Sequence, residues 1–239
     1  AVFDTAFHQT MPPRAYTYAI PYEYYVNDHV RRYGFHGSSY IYVSQRAAEL
    51  LGKPDGQGLK LVCCHLGNGS SVAAGKDGKS VDTSMGLTPL EGLPMGTRSG
   101  SVDPGVMEYL MYRRKLDIHQ ILDIMNKESG VLGISGVSSD FRDLELAADE
   151  GNEQAKLAIE CFAYQVKKYI GSYAAAMGGV DAIIMTGGIG ENSTAVRAAA
   201  LSGLEFLGVK LDPEKMKVRG KEMDISAPDA TVRTLIIPT

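Results

Sequence analysis

A strand–glycine–helix unit near the C-terminal end of the sequence sets the fold class. Residues 180–185 form a short apolar run, residues 186–192 are rich in glycine, and residues 193–207 carry apolar side chains at helical spacing. This order predicts a buried strand, a glycine loop and a helix, which is the building unit of α/β folds. Ligands of such sheets bind outside the carboxyl ends of the strands, where a helix N-terminus favours an anion.

The glycine spacing of this unit differs from that of dinucleotide-binding loops. Ser193 occupies the place of the last glycine in a GxGxxG pattern, so the unit does not predict a Rossmann fingerprint. The glycines at 187, 188 and 190 would still let a base or a ribose lie against the backbone. A tight strand-to-helix turn without a ligand is the alternative interpretation.

A second glycine pair lies inside a predicted antiparallel meander. We predict its strands at residues 59–65, 71–74 and 80–83. Asp77-Gly78 predicts a hairpin turn between the last two strands, because these residue types tolerate positive φ. The first turn, Gly67-Asn68-Gly69, can direct backbone N–H groups at a phosphate. An ordinary hairpin turn is the alternative, since Asn-Gly is a favoured turn pair.

Most of the remaining sequence predicts helices around the sheet. Asp103-Pro104 is typical of a helix start, and Asp140 is placed to cap another helix. Proline disfavours helix between residues 11 and 25, so that segment is predicted to be irregular. The other helices are predicted at residues 39–51 with Ser39 as N-cap, 103–115, 117–127 and 152–177. The predicted fold class is therefore α/β.

Composition excludes several classes of protein. The net charge of −4 and the absence of basic clusters argue against nucleic-acid binding. No apolar stretch is as long as the roughly 20 residues of a membrane-spanning helix. Cys63 and Cys64 are adjacent in a strand and point to opposite faces, so we expect reduced, buried thiols and a cytoplasmic protein. Residues 1–4 read as the end of a buried strand, and both termini suggest a piece of a longer chain.

Three ionisable residues lie where a transferring phosphoryl group could be contacted. His36 stands between two glycines before a predicted helix, and Arg98 lies in a loop flanked by Gly96 and Gly100. A guanidinium matches phosphoryl oxygens. Asp4, at the end of the predicted strand, is placed to hold magnesium or to orient a nucleophile. Each residue also has an alternative, purely structural role: His36 beside a helix cap, Arg98 in an ion pair, and Asp4 in a turn.

Taken together, these segments resemble the acetate kinase family over nearly the whole chain. Any one match would be weak, whereas an ordered set is specific. The matching stretches, in family order, are residues 2–12 (VFDTAFHQTMP), 32–37 (RYGFHG), 65–69 (HLGNG), 88–92 (TPLEG), 95–100 (MGTRSG), 140–142 (DFR) and 186–192 (TGGIGEN).

The resemblance implies a nucleotide-binding lobe of the actin, Hsp70 and sugar-kinase type, which is ribonuclease H-like, with a mixed sheet and flanking helices. It also implies reversible, Mg²⁺- or Mn²⁺-dependent transfer of the γ-phosphoryl of ATP to acetate, which gives acetyl phosphate and ADP, and a homodimer. By motif position, the implied catalytic residues are Asp4, His36 and Arg98. The implied nucleotide-binding residues are His65, Leu66, Gly67, Asn68, Gly69, Asp140, Phe141, Arg142, Gly188, Ile189, Gly190, Glu191 and Asn192.

The sequence also departs from the family pattern. Family members carry a preceding lobe, which contributes to the acetate pocket, and they continue past Thr239 with a glutamate that helps to hold Mg²⁺. We therefore expect residues 1–239 to be the C-terminal nucleotide-binding lobe of a two-lobed kinase, with residues 1–10 and the far C-terminus bordering the other lobe and with little activity of its own. Tyr40 replaces a common histidine and Ser101 a common aspartate; we expect both to affect packing rather than chemistry.

Three alternatives to an acetate kinase stay open at this point. A propionate kinase or a kinase of another short acyl acid would share most of these motifs. A non-catalytic, actin-like ATP-binding module would bind nucleotide without forming an acyl phosphate, although His36 and Arg98 in glycine-flanked loops argue against it. A structural or interaction fragment is the third alternative.

Overall fold

The computed structural model describes residues 3–239. The strand predicted at residues 1–4 falls partly on Ala1 and Val2, which lie outside the described residues. Asp4 itself lies in a turn, and the side chain of Phe3 is exposed. A short 3₁₀ helix, Ala6–Thr10, follows this turn and packs beside the third strand of the meander.

A mixed sheet of six strands forms the centre of the molecule, with the order β3-β2-β1-β4-β6-β5. The strands are β1 (Lys60–Leu66), β2 (Ser70–Lys76), β3 (Lys79–Thr83), β4 (Ala182–Thr186), β5 (Met223–Asp224) and β6 (Arg233–Ile236). β1, β4 and β6 run parallel, whereas β2, β3 and β5 pair antiparallel with their neighbours. The predicted meander and mixed α/β sheet are confirmed.

The hairpin turn between β2 and β3 forms as its sequence predicts. Asp77 and Gly78 both have left-handed backbones, with φ of 52° and 73°. These values are those that a two-residue hairpin turn needs at its central positions. The turn therefore fixes the register in which Lys76 pairs with Lys79.

Helices cover both faces of the sheet. They are α1 (Pro13–Tyr16), α2 (Glu23–Asp28), α3 (Gly37–Leu50), α4 (Pro104–Arg114), α5 (Ile118–Lys127), α6 (Gly130–Ser135), α7 (Phe141–Asp149), α8 (Glu153–Met177), α9 (Gly187–Asn192) and α10 (Thr194–Leu201). The predicted caps at Asp103 and Asp140 are confirmed, because each carboxylate accepts a hydrogen bond from the first turn of its helix. None of the described helices is long and apolar enough to cross a membrane.

Four details of the helix predictions were wrong. The N-cap of α3 is His36 rather than Ser39. The segment expected to be irregular contains α1 and α2, because Pro13 occupies the first turn of α1, where its missing N–H costs nothing. The glycine loop after β4 is itself a helical turn, α9. The helix expected to reach residue 207 ends at Leu201, shortly before Gly203 with a φ of 81°.

Two apolar clusters lie on opposite faces of the sheet. One face packs against α6, α7, α8 and α10, and the other packs against α3. β1 is buried on both faces: Cys64 belongs to the first cluster and Cys63 to the second. Both thiols are free and buried, as predicted, and burial raises the pKa of Cys63 to about 12. This rigid sheet sets the positions of the loops at its carboxyl edge.

Candidate functional site

A cavity of about 680 Å³ opens at the carboxyl ends of β1 and β4. This is the edge at which parallel sheets bind ligands. The cavity brings together three segments that are far apart in the chain: the turn after β1, the start of α7 and the helical turn α9. Its lining residues are Gly67, Asn68, Ser139, Asp140, Phe141, Arg142, Glu145, Gly188, Ile189, Asn192, Ser193 and Arg219.

Most of the predicted nucleotide-binding residues line this cavity, but some do not. Leu66 is buried in the core, and Gly190 is also buried. Glu191 points toward the C-terminal end, where its carboxylate accepts a hydrogen bond from the backbone N–H of Thr239 at 3.1 Å. Phe141 does line the cavity, and its ring also packs against Phe162 in the core, with ring centroids 4.8 Å apart.

Two of the three predicted catalytic side chains, those of His36 and Arg98, meet at the turn after β1. A Cβ atom added to Gly69 would lie 3.5 Å from Nε2 of His36 and 3.4 Å from Nη1 of Arg98. The ring of His65 stacks on that of His36, with centroids 4.1 Å apart. A side chain at position 69 would therefore fill the space between His36 and Arg98.

His36 holds its place through an unusual backbone conformation. Its φ is 57°, which is sparsely populated for residues other than glycine. Oδ2 of Asp4 accepts a hydrogen bond from the His36 backbone N–H at 2.7 Å, and the Asp4 carbonyl accepts one from Gly37 N–H at 2.8 Å. Strain of this kind persists only where the surroundings over-determine it, and it clusters at functional sites. Asp4 thus orients His36 and acts as a cap as well.

Both histidines also have a hydrogen-bond partner at Nδ1. The hydroxyl of Ser71 lies 2.8 Å from Nδ1 of His36, and the hydroxyl of Ser39 lies 2.8 Å from Nδ1 of His65. Burial, and then the neighbouring His65, lower the pKa of His36 to about 4, and burial also lowers the pKa of His65. Both imidazoles are therefore neutral at pH 7, which allows them to stack.

The loop that carries Arg98 is fixed against the turn after β1. Gly96 N–H donates to the carbonyl of Asn68 at 3.0 Å, and a Cβ at Gly96 would lie 1.9 Å from Oδ1 of Asn68. The Thr97 hydroxyl donates to the carbonyl of Asn126 at 2.9 Å, at the end of α5. Nη1 of Arg98 contacts Sδ of Met95 at 3.7 Å. The loop thus presents a permanent positive charge beside Gly69.

Asp140 and Arg142 form an ion pair at the rim of the cavity. Nη2 of Arg142 lies 2.5 Å from Oδ2 of Asp140, and the same carboxylate caps α7 through Arg142 N–H at 2.9 Å. Arg142 therefore holds the pKa of Asp140 down at about 2. The Arg142 side chain is 87% exposed, so it is free to turn toward a ligand.

Beside α9, a buried arginine holds the backbone of the cavity wall. The sequence analysis did not identify this residue. The guanidinium of Arg197 is fully buried and donates to three carbonyls, those of Gly190, Met216 and Val218, at 3.0, 2.7 and 2.7 Å. It ties α9 to the segment that brings Arg219 to the cavity. The sequence feature that could have identified Arg197 is its position as a charged residue in the alanine-rich helix α10. Ser139, Glu145 and Ser193 were also missed, because no motif marks them.

The described residues supply one carboxylate beside the convergence point. No group of three or more His, Cys, Asp or Glu side chains in residues 3–239 is arranged to hold a metal ion. Mg²⁺ commonly binds through one or two carboxylates together with substrate phosphates, without a protein cage. Asp4 uses Oδ2 for the His36 N–H and fits such a partial set.

The chain is similar to known kinases over its whole length. A family model described as "Acetokinase family" matches residues 1–239. Acetate kinases of Desulfitobacterium hafniense and Thermoanaerobacterium thermosaccharolyticum are 62% and 63% identical to it, over 100% of this chain and 60% of theirs. The chain thus spans about 60% of the length of these relatives.

Two solved structures share the fold. The acetate kinase of Porphyromonas gingivalis has 52% sequence identity and a TM-score of 0.96. A propionate kinase from Francisella tularensis has 44% identity and a TM-score of 0.93. In both comparisons, 100% of this chain and 60% of the other are covered. These likenesses confirm the predicted α/β fold with flanking helices.

Proposed function

The chain belongs to the acetokinase family, and on this premise we propose that it is the nucleotide-binding lobe of an acetate kinase. The reaction is the reversible transfer of the γ-phosphoryl of ATP to acetate, which yields acetyl phosphate and ADP. The observation that carries the proposal is the convergence of His36 Nε2 and Arg98 Nη1 on Gly69. Gly69 belongs to the turn whose Gly67 and Asn68 line the cavity, and we call this part of the site the inner end.

The nucleotide lies with its adenosine against α9 and its phosphates toward the turn after β1. Among the lining residues, Gly188 and Asn192 belong to α9, which we call the outer end of the site, and Gly67 and Asn68 belong to the turn at the inner end. Asp140 and Arg142, at the start of α7, belong to the same lining. On this proposal the γ-phosphoryl lies beside Gly69, where an added side chain would come within 3.5 Å of His36 and Arg98.

At that point the protein supplies charge and hydrogen bonds rather than covalent chemistry, which is what phosphoryl transfer requires. Arg98 neutralises charge on the transferring group, and neutral His36 contacts it through Nε2. Acetate is already ionised at neutral pH, since the pKa of a carboxyl group is about 4. No strong base is needed, and Asp4 therefore positions groups instead of removing a proton.

Mg²⁺, or Mn²⁺ in its place, would be held by Asp4 together with the nucleotide phosphates. The ion would neutralise phosphate charge during transfer. A glutamate of the family that lies beyond Thr239 would complete the protein ligands.

A propionate or other short-chain acyl kinase is the second candidate. It is favoured by the likeness to the Francisella tularensis propionate kinase, whose TM-score of 0.93 differs little from that of the acetate kinase. An acceptor screen on the full-length protein separates the two. Acetate turned over with the highest kcat/KM supports an acetate kinase, whereas preference for propionate supports the alternative.

A hydroxamate assay with ATP, Mg²⁺ and acetate tests the proposal. We expect acetyl phosphate from the full-length protein, and weak nucleotide binding with little product from residues 1–239. Near-normal turnover by the 239-residue chain would overturn its assignment as an incomplete lobe. ATP binding without any acyl phosphate from the full-length protein would favour the actin-like module. The proposal includes a cytoplasmic homodimer, and light scattering measures the assembly.

A further inference from the structure

Behind His36 lies a buried hydroxyl pair to which the proposed reaction assigns no role. The hydroxyl of Tyr40 contacts Oγ of Ser71 at 2.5 Å, and Oγ of Ser71 contacts Nδ1 of His36 at 2.8 Å. Tyr40 and Ser71 are both completely buried. Tyr40 lies on α3, one turn after His36, and Ser71 lies on β2. The three side chains form a chain of hydrogen bonds that ends at the imidazole.

The direction of this chain follows from counting protons. Within residues 3–239, Ser71 Oγ is the one side-chain partner found for the Tyr40 hydroxyl. If Ser71 donated to Tyr40, the tyrosine proton would be buried without an acceptor. Such a group costs about 1–3 kcal/mol.

The opposite direction satisfies every group. Tyr40 donates to Ser71, Ser71 donates to Nδ1 of His36, and His36 keeps its proton on Nε2. Burial raises the pKa of Tyr40, so its hydroxyl retains the proton that starts the chain. Because Nδ1 of His36 accepts from Ser71, the ring proton is left on Nε2. One nitrogen is then an acceptor and the other is a donor.

We propose that Tyr40 is a positioning residue that acts through Ser71 to hold His36 as the Nε2–H tautomer, so that His36 donates a hydrogen bond to the transferring phosphoryl group. This inference rests on the proposed function for the identity of the acceptor. The tautomer itself depends only on the three side chains.

The neighbouring histidine offers an internal comparison. His65 also has a serine hydroxyl at Nδ1, but Ser39 is partly exposed, and no second partner of its hydroxyl is found within the described residues. Ser39 is therefore free to donate or to accept. The proposal predicts one fixed tautomer for His36 and no such constraint for His65.

Nitrogen-15 NMR of the imidazole rings at pH 7 in the 239-residue chain tests the tautomer directly. His36→Gln assigns the signals. We expect a protonated Nε2 and an unprotonated Nδ1 for His36 in the unchanged chain, and a raised Nδ1–H population in Tyr40→Phe. Tyr42→Phe is the matched control, because Tyr42 lies on the same helix and is 52% exposed. It should leave the His36 signals unchanged.

The same variants in the full-length protein connect the tautomer to turnover. We expect Tyr40→Phe to lower kcat about tenfold with little change in KM for ATP, which is less than direct loss of a transition-state donor costs. Ser71→Ala should have a similar effect and serves as the second variant if Tyr40→Phe unfolds. A proton on Nδ1 of His36 in the unchanged chain, or an unaltered tautomer in both variants, overturns the proposal. Failure of the full-length protein to make an acyl phosphate would instead remove the proposed function.

Discussion

The two ends of the cavity are built differently. At the inner end, His36 and Arg98 come from separate segments and converge on Gly69, and Asp4 holds the strained backbone of His36. At the outer end, the buried guanidinium of Arg197 holds the backbone carbonyl of Gly190 in α9 and that of Met216. The inner end offers charged and polar side chains to a ligand, whereas the outer end offers backbone that is held in position. Changes at the inner end should therefore reduce turnover, and changes at the outer end should weaken nucleotide binding.

Loss of Arg98 should give the largest effect. Arg98→Ala in the full-length protein removes a charge that acts on the transferring group, and we expect kcat to fall by about 10²–10³. KM for ATP should change much less, because the other cavity contacts remain. Steady-state kinetics with the hydroxamate assay measures both values.

Arg113→Ala controls for the loss of one positive charge, since Arg113 is exposed on α4, away from the cavity. Its kcat should equal that of the unchanged protein. An equal loss of turnover in both variants, or an unchanged kcat in Arg98→Ala, would remove Arg98 from the proposed mechanism.

Arg197→Met should act at the outer end. The change leaves three carbonyls, two of them buried, without their donor, and we expect about 2–4 kcal/mol of lost stability. The dissociation constant for ADP should rise while kcat at saturating ATP stays close to normal. Chemical denaturation and titration calorimetry measure the two effects, and exposed Arg114→Met on α4 is the control. Unchanged ADP binding in a folded Arg197→Met protein would contradict this division of roles.

These two arginines also show what the sequence can predict. Arg98 lies in a glycine-flanked loop, and this local pattern was enough to select it together with His36. The burial of Arg197 depends on residues 216–218 folding back over α10, a contact between segments that the helical pattern does not encode. Local signals therefore identified the inner end more completely than the outer end.

Tyr40 shows that contacts between distant segments escape sequence-based prediction at the inner end as well. The sequence analysis expected it to affect packing, and its full burial agrees with that expectation. Its contact with Ser71 arises because α3 lies against β1 and β2, so no local pattern predicts it. The strands, the meander turn and the caps of α4 and α7 were predictable, because each depends on a few neighbouring residues.

Protonation of the inner histidines should destabilise the fold as the pH falls. The pKa of His36 in the folded chain is lowered to about 4 from 6.5, so below pH 6.5 the unfolded state binds more protons. Stability is therefore fully present above pH 6.5 and is lost as the pH falls toward 4. We expect a loss of about 2–3 kcal/mol from this residue in urea melts. In His36→Gln the pH dependence should be smaller by this amount, and an identical dependence would contradict the neutral, buried imidazole.

The smallest effect concerns the backbone that joins the two ends. Gly187 has a φ of 75°, and a Cβ atom there would lie 2.7 Å from the carbonyl oxygen of Leu66. Gly187→Ala should therefore cost about 1–3 kcal/mol in urea melts. Gly171→Ala is the matched control, because Gly171 lies inside α8 with no atom within 4 Å of the added Cβ. That change should stabilise by about 0.5–1 kcal/mol. Equal effects in the two variants would show that contact between α9 and the end of β1 does not constrain the cavity.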